Sequence, residues 1–269
     1  MVQMMIYIMD AILEGHKLEF TAPSGYKYTI REQNGADDDI LSNPVEAQQL
    51  MNISRFIAGI VVSTDFMGKT NGRLTPEEVH NLMPALDRYC ILMQSRIFSI
   101  GKELDFEHDW GKNNGGIVNY SQDLEEFLFD YSKMPTNEEL EAKPNAIPYY
   151  PQQKITKDIT FTIGSGKELM FDLLTAQGES YVVNLPLEKG TKNQNLIARN
   201  LRVKVDGKWE KVTSFHIFSV KDMIEIRSNV LGLDPIFNGI TTIENPNVPG
   251  MSEQISVVAI KGFFYPGEI

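Results

Sequence analysis

Cysteine is nearly missing from this chain: Cys90 stands alone among 269 residues. A single thiol excludes a disulfide within the chain and any zinc site built on several thiolates. It lies in the apolar run Tyr89-Cys90-Ile91-Leu92-Met93, the setting of a buried, inert sulfur rather than a nucleophile. Histidine is scarce too, with His16, His80, His108 and His216 far apart in sequence. Positive charge is in deficit. Lys and Arg number 25 against 36 Asp and Glu, a net charge of −11, which argues against nucleic acid as a partner. Long apolar runs are absent as well. Met1 to Ile8 is apolar but too short to span a bilayer, no basic residue precedes it, and Asp10 follows, so it reads as neither a membrane anchor nor a signal peptide. The expectation is a soluble chain that is not exported.

The motifs of common catalysts are missing in the same way. Gly164-Ser165-Gly166-Lys167 lacks the upstream glycine and the following Ser or Thr of a phosphate-binding loop, and it sits at a turn between strands. There is no nucleophile elbow and no zinc-protease helix. His108 has acidic neighbours in Glu107 and Asp109, but adjacent strand residues point to opposite faces, so they do not converge on a metal. Asp37-Asp38-Asp39 is the densest acidic run. It precedes the helix start at Asn43-Pro44, and no further oxygen ligands stand at calcium-loop spacing. The sequence assigns no catalytic residue, no cofactor and no metal.

What is present is 42% apolar and 10% aromatic residues, enough for a packed core, arranged in a pattern that occurs twice. Lys17 to Asp39 and Asp158 to Ser180 each show an alternating run, a Ser-Gly pair, a second run and a Gly-containing acidic turn, which places Asp37 to Asp39 in a loop. Ser24-Gly25 matches Ser165-Gly166, and each reads as a β-hairpin closed by a two-residue turn. Helical signals follow in both halves. Asn43 and Pro44 start one helix; Thr75 and Pro76 start another, which Pro84 divides. In the second half a helix runs into a strand with a turn at Asp206-Gly207, and Ser219 caps a helix carrying Met223, Ile226 and Val230.

Each half then closes on a ribbon. The first alternates from Glu103, breaks over Asp109 to Gly116 and resumes at Ile117; the second spans Ile240 to Glu268, with the aromatic cluster Phe263, Phe264 and Tyr265. The predicted fold class is α+β, with two similar modules at residues 9–132 and 156–269. Each module is a hairpin, a small helical region and a closing ribbon of zinc-ribbon type without metal. Residues 1–8 form an extension, and 133–155 form a connector held extended by Pro135, Pro144, Pro148 and Pro151.

The run "GADDDILSNPVEA" after the Ser-Gly hairpin, the passage "SRIFSIGKELDFEHDW" and the closing aromatic strand resemble tailed-phage baseplate and tail assembly proteins of the T-even hub type. The resemblance covers about Leu13 to Tyr131 and extends over the second half only as pattern. In such proteins the closing ribbon often carries a cysteine-based zinc loop; here Asp109 to Gly115 stands in its place, and Trp110 with the terminal aromatics takes over the packing. The resemblance implies a non-enzymatic morphogenesis protein, located in the host cytoplasm during assembly and in the virion tail or baseplate; a transient tail assembly chaperone absent from the virion stays open, and the rival reading is a cytoplasmic enzyme or regulatory binding module using the acidic loop Asp37 to Asp39. The partners of such a morphogenesis protein would be other tail proteins, with a homo-oligomer open and neither nucleic acid nor membrane involved. The candidate contact residues are Met4, Ile6 and Ile8 of the extension, Trp110 at the ribbon tip, and Tyr149 and Tyr150 of the connector, all large apolar groups on segments expected at the surface.

Overall fold

Alternation in Lys17–Thr21 and Lys27–Arg31 produces an antiparallel hairpin, β1 and β2, with Lys17 opposite Arg31. The structure is a computed structural model that describes residues 16–68, 72–128, 153–186, 191–237, 239–260 and 263–264. The extension 1–8 and most of the connector lie outside these residues. Helices α1 (Gly35–Leu41), α2 (Pro44–Ala47) and α3 (Met51–Ile60) follow the hairpin and lead into β3 (Val61–Thr64), which pairs with β2. Then come α4 (Pro76–Leu82) and α5 (Ala85–Ile100), separated at Pro84 as its missing N–H requires. The first half closes on the ribbon β4 (Glu103–Asp109) and β5 (Ile117–Asp123).

The second half runs through a similar but not identical series. Hairpin β6 (Ile159–Thr162) and β7 (Glu168–Phe171) is followed by α6 (Ala176–Val183) and α7 (Thr191–Ala198). Strand β8 (Arg202–Val205) pairs with β7 as β3 pairs with β2, and β9 (Lys208–Lys211) adds a fourth strand across the Asp206-Gly207 turn. Helix α8 (Val220–Leu233) leads to the ribbon β10 (Ile240–Glu244) and β11 (Ser252–Ser256). The architecture is α+β, with small antiparallel sheets throughout.

Side-chain caps fix the helix starts. Asn34 and Asp37 form a capping box on α1, Thr75 and Glu78 on α4, and Ser219 and Asp222 on α8. Two expectations change here. Asp37 to Asp39 belong to α1 rather than to a loop, and Asp37 also grips Arg31 through two 2.8 Å hydrogen bonds. Both hairpins close through three residues rather than two. In each, the first loop-flanking N–H reaches the carbonyl four residues on, and a glycine N–H returns to the first carbonyl: Ala22 with Tyr26 and Gly25, Ile163 with Lys167 and Gly166. Gly25 at φ 93° and Gly166 at φ 82° supply the left-handed residue that this bulged turn needs.

The halves do not keep separate cores. One apolar cluster fills the first half around Tyr28, Ile30, Phe56, Ile60, Val79 and Met83, and another fills the second around Phe171, Leu201, Val203, Ile226 and Val230. A third joins both ribbons: Leu104, Phe106, Trp110 and Leu124 of the first pack with Ile243, Val257 and Phe263 of the second, over Met93 of α5. A two-stranded ribbon cannot bury one face by itself, so pairing the two supplies the apolar contact that each lacks.

The ribbon tips interlock through polar bonds as well. Asn245 Nδ2 donates to the Asn114 carbonyl at 2.9 Å, and the Asn247 side chain lies against Gly115. A Cβ at Gly115 would sit 2.3 Å from Asn247 Nδ2, on a backbone at φ +99°. The expected outcome for Gly115→Ala is a loss of about 1–2 kcal/mol in urea unfolding, from strain and overlap together. Part of that loss should return in an Asn247→Gly background, which removes the Asn247 Cβ, Cγ and Nδ2 that the new methyl would meet but leaves the backbone strain; a double-mutant cycle with no coupling would contradict this packing.

Candidate functional site

The richest polar cluster lies at the seam between the halves, at the start of α5. Pro84 bridges Thr175 in strand fashion, and Ala85 N donates to the Leu174 carbonyl at 2.6 Å. Arg88 Nη1 meets Glu179 Oε2 at 2.9 Å with both side chains largely buried. One turn on, the Tyr89 ring stacks on Phe237 at 4.5 Å and 7°. Asp87, fully buried, accepts from the Ser24 N–H at 3.0 Å, from the Ser24 hydroxyl and from Tyr28 Oη at 3.3 Å. Across a cleft of about 20 Å³ lined by Pro23, Pro84, Leu173 and Pro235, a second buried carboxylate, Asp234, accepts from Leu174 N–H at 2.9 Å and Arg199 Nε at 2.6 Å. Such a space holds about one water molecule and no substrate.

The charges are set by these surroundings. Burial pushes the Asp87 carboxyl up to about 6 against the pull of its hydrogen bonds, with Asp234 adding a like charge. Burial also raises Asp234, opposed by Arg199. The second half contains the same contact in another state. Asp222, like Asp87 the third residue of its helix, accepts from the hairpin serine Ser165, and that bond together with the Ser219 N–H and Lys167 holds it down at about 2. Lys167 occupies the turn position that Tyr26 occupies in the first hairpin, so the first carboxylate lacks the cation that the second has.

Among the described residues, the histidines and the cysteine each stand in separate surroundings. His80 Nδ1 lies 3.4 Å from Ser54 Oγ, whose hydroxyl already donates to the Leu50 carbonyl, and burial lowers the imidazole. Cys90 is half-buried, and desolvation pushes its thiol up, away from a reactive thiolate. His108 Nε2 meets Glu253 of the other ribbon at 3.2 Å, while Glu107 faces solvent on the opposite side of β4. Among the described residues, no group of three or more His, Cys, Asp or Glu is placed to hold a metal ion.

Of the six contact residues expected from sequence, Met4, Ile6, Ile8, Tyr149 and Tyr150 lie outside the described residues. Trp110 is described and needs correction as an exposed anchor. It is only 6% exposed, and its indole N–H donates to Tyr120 Oη at 2.8 Å, whose hydroxyl donates in turn to the Glu244 carbonyl of the second ribbon at 2.8 Å. The indole therefore joins the two ribbons internally, because β10 and β11 close over the loop that carries it. Sequence reasoning missed a different surface. Helix α8 buries Met223, Ile226, Val230 and Leu233 on one side, and exposes Val220 (80%), Ile224 (61%) and Leu231 (46%) on the other. At about 3.6 residues per turn these three share one face, continued by exposed Ile217. The signal was there in the sequence, as a helix apolar on two opposite sides.

Compared with family models, curated proteins and solved structures, the chain matches none of them. Among the described residues no helix is long and apolar enough to cross a membrane.

The raised Asp87 carboxyl gives a pH test. An acid whose folded-state pKa lies above its unfolded value of 3.8 binds its proton more tightly in the fold. That contribution is complete below the unfolded pKa and is lost as pH rises through about 6. Asp87→Asn keeps an acceptor for the Ser24 N–H and removes the titration. The stability of Asp87→Asn relative to wild type should therefore rise by on the order of 2–3 kcal/mol between about pH 4 and pH 7. Urea titrations at several pH values check it; a difference that is constant with pH contradicts it.

Proposed function

We propose that this chain is a non-enzymatic morphogenesis protein of a tailed bacteriophage, acting in tail or baseplate hub assembly through protein–protein contacts. The observation that carries the contact reading is the outer face of α8, where Val220, Ile224 and Leu231 stand exposed in one row beside Ile217. Scattered surface aliphatics are ordinary, but a row of them on one helix face is the mark of a surface that meets another protein. The tail assignment rests on the resemblance of residues 13–131, with its zinc-type ribbon carried without cysteine. The seam supports the non-enzymatic part. Its buried carboxylates are engaged with Ser24, Tyr28, Leu174 and Arg199, and its cleft admits no substrate. A regulatory or enzymatic role for the acidic run Asp37 to Asp39 is less supported, since Asp37 is taken by Arg31 and by the cap of α1.

The extension bearing Met4, Ile6 and Ile8 and the connector bearing Tyr149 and Tyr150 remain proposed contact segments on their composition. Two measurements test the proposal. Without the protein, lysates examined by electron microscopy should contain incomplete tails; complete, infectious tails would overturn it. Mass spectrometry of purified particles then separates the two forms of the role, a virion component when the chain is found and a transient assembly chaperone when it is not. Deleting residues 1–8 should leave the thermal midpoint unchanged and abolish incorporation. A fall of several degrees with assembly intact would make that segment part of the core.

A further inference from the structure

The two halves share one contact, and they differ in what covers their long helices. Ser24 with Asp87 and Ser165 with Asp222 are the same tie, from hairpin turn to the third residue of a long helix. Counting along the chain from the serines sets Asn34 against Thr175, and each is indeed the N-cap of the next helix. Counting from the aspartates sets Ala85, Tyr89, Met93 and Ile97 of α5 against Val220, Ile224, Ser228 and Gly232 of α8.

In α5 that face is covered. Ala85 is tied to Leu174, Tyr89 lies on Phe237, and Met93 and Ile97 enter the ribbon cluster, so most of the cover comes from the second half. In α8 the same face is bare. Its own ribbon, β10 and β11, has joined the first ribbon over α5 instead. Gly232 shows the same vacancy: a Cβ there would meet nothing within 4 Å, where its counterpart Ile97 is packed.

We infer that the outer face of α8 is the docking site for a second copy of this chain, joined head to tail. The contact repeats the one inside the molecule. Within the chain, the segment between β7 and α6 of the second half, Leu173 to Thr175, lies on the start of α5. The matching segment of the first half is Glu32 to Asn34, between β2 and α1. In the assembly, this segment of one copy lies on the start of α8 of the next. Charge supports the pairing, because the α8 face carries Lys221 at its N-terminal end and the incoming segment leads into the acidic Asp38 and Asp39. A contact between two different surfaces leaves one of each free at the ends, so it propagates to a ring or a short filament rather than stopping at a two-fold dimer. The inference deepens the reading of α8 as a contact surface and rests on it, but not on the tail assignment.

Analytical ultracentrifugation over a wide concentration series tests it on the full chain. Wild type should show mass-action association to species beyond the monomer, and Ile224→Arg should weaken that association by more than about tenfold with an unchanged thermal midpoint. A wild-type chain that stays monomeric throughout overturns the inference. So does association that Ile224→Arg leaves intact. Cross-linking fixes the geometry. Ile224→Cys mixed with Glu32→Cys should form the mixed disulfide on mild oxidation, whereas dimers of Ile224→Cys alone would mean a two-fold α8 contact and overturn the head-to-tail arrangement. The failures are distinguishable. A self-associating chain whose loss leaves tails complete sinks only the tail reading, and a monomer required for tails sinks only this one.

Discussion

One tie recurs in this molecule and holds each half in shape: a hairpin serine bonded to the aspartate in the first turn of the long helix. A three-residue bulged turn presents the serine, and the helix N-terminus favours the carboxylate. Hairpin and long helix are far apart in sequence, and this bond joins them, helped by Gln33 to Ser95 and Ser99 in the first half and Gly164 to Glu225 in the second. The two copies solve the burial of charge differently. Asp222, also buried, keeps Lys167 as a counter-ion. Asp87 has lost the cation, is sealed under the second half, and is held by neutral donors alone. Breaking such a buried polar contact costs more than making it contributes, which makes the seam specific as well as stable.

Two short strands cannot bury one face by themselves. Here each ribbon has the other. Trp110, Phe106 and Leu104 meet Ile243, Val257 and Phe263, and the chain of bonds from the indole through Tyr120 to Glu244 sets their relative position. His108 and Glu253 add an ion pair across the same contact. The arrangement ties residues of the first half to the end of the chain, so the two halves fold as parts of one body. It also determines what is left uncovered: the second ribbon lies over α5, and the outer side of its own helix, α8, faces solvent.

That uncovered side carries Val220, Ile224 and Leu231 on one helix face. The seam's polar groups are engaged with one another around a cleft of about 20 Å³. Exposed apolar area keeps a fixed shape on a rigid element, and α8 is held from behind by Met223, Ile226, Val230 and Leu233 in the second core.

Much of the local structure was legible in the residues themselves. Asn43-Pro44, Thr75-Pro76, Pro84 and Ser219 marked helix boundaries because capping and the missing proline N–H act within a few residues. The break of the first ribbon over Asp109 to Gly116 was readable for the same reason. Short-range detail was less secure: the hairpin turns are one residue longer than their Ser-Gly pairs implied, and Asp37 to Asp39 turned out to be helix. What no local pattern could show was which surfaces meet. Trp110 looked like an exposed anchor and is covered by a ribbon more than a hundred residues away, and Asp87 looked like any helix-start carboxylate until Ser24, Tyr28 and the second half enclosed it. The sequence by itself determined the elements and their order, through capping, turn chemistry and alternation. Only the tertiary structure decided which apolar faces were buried and which carboxylates lost their water, because both depend on contacts between segments that the chain brings together only when it folds.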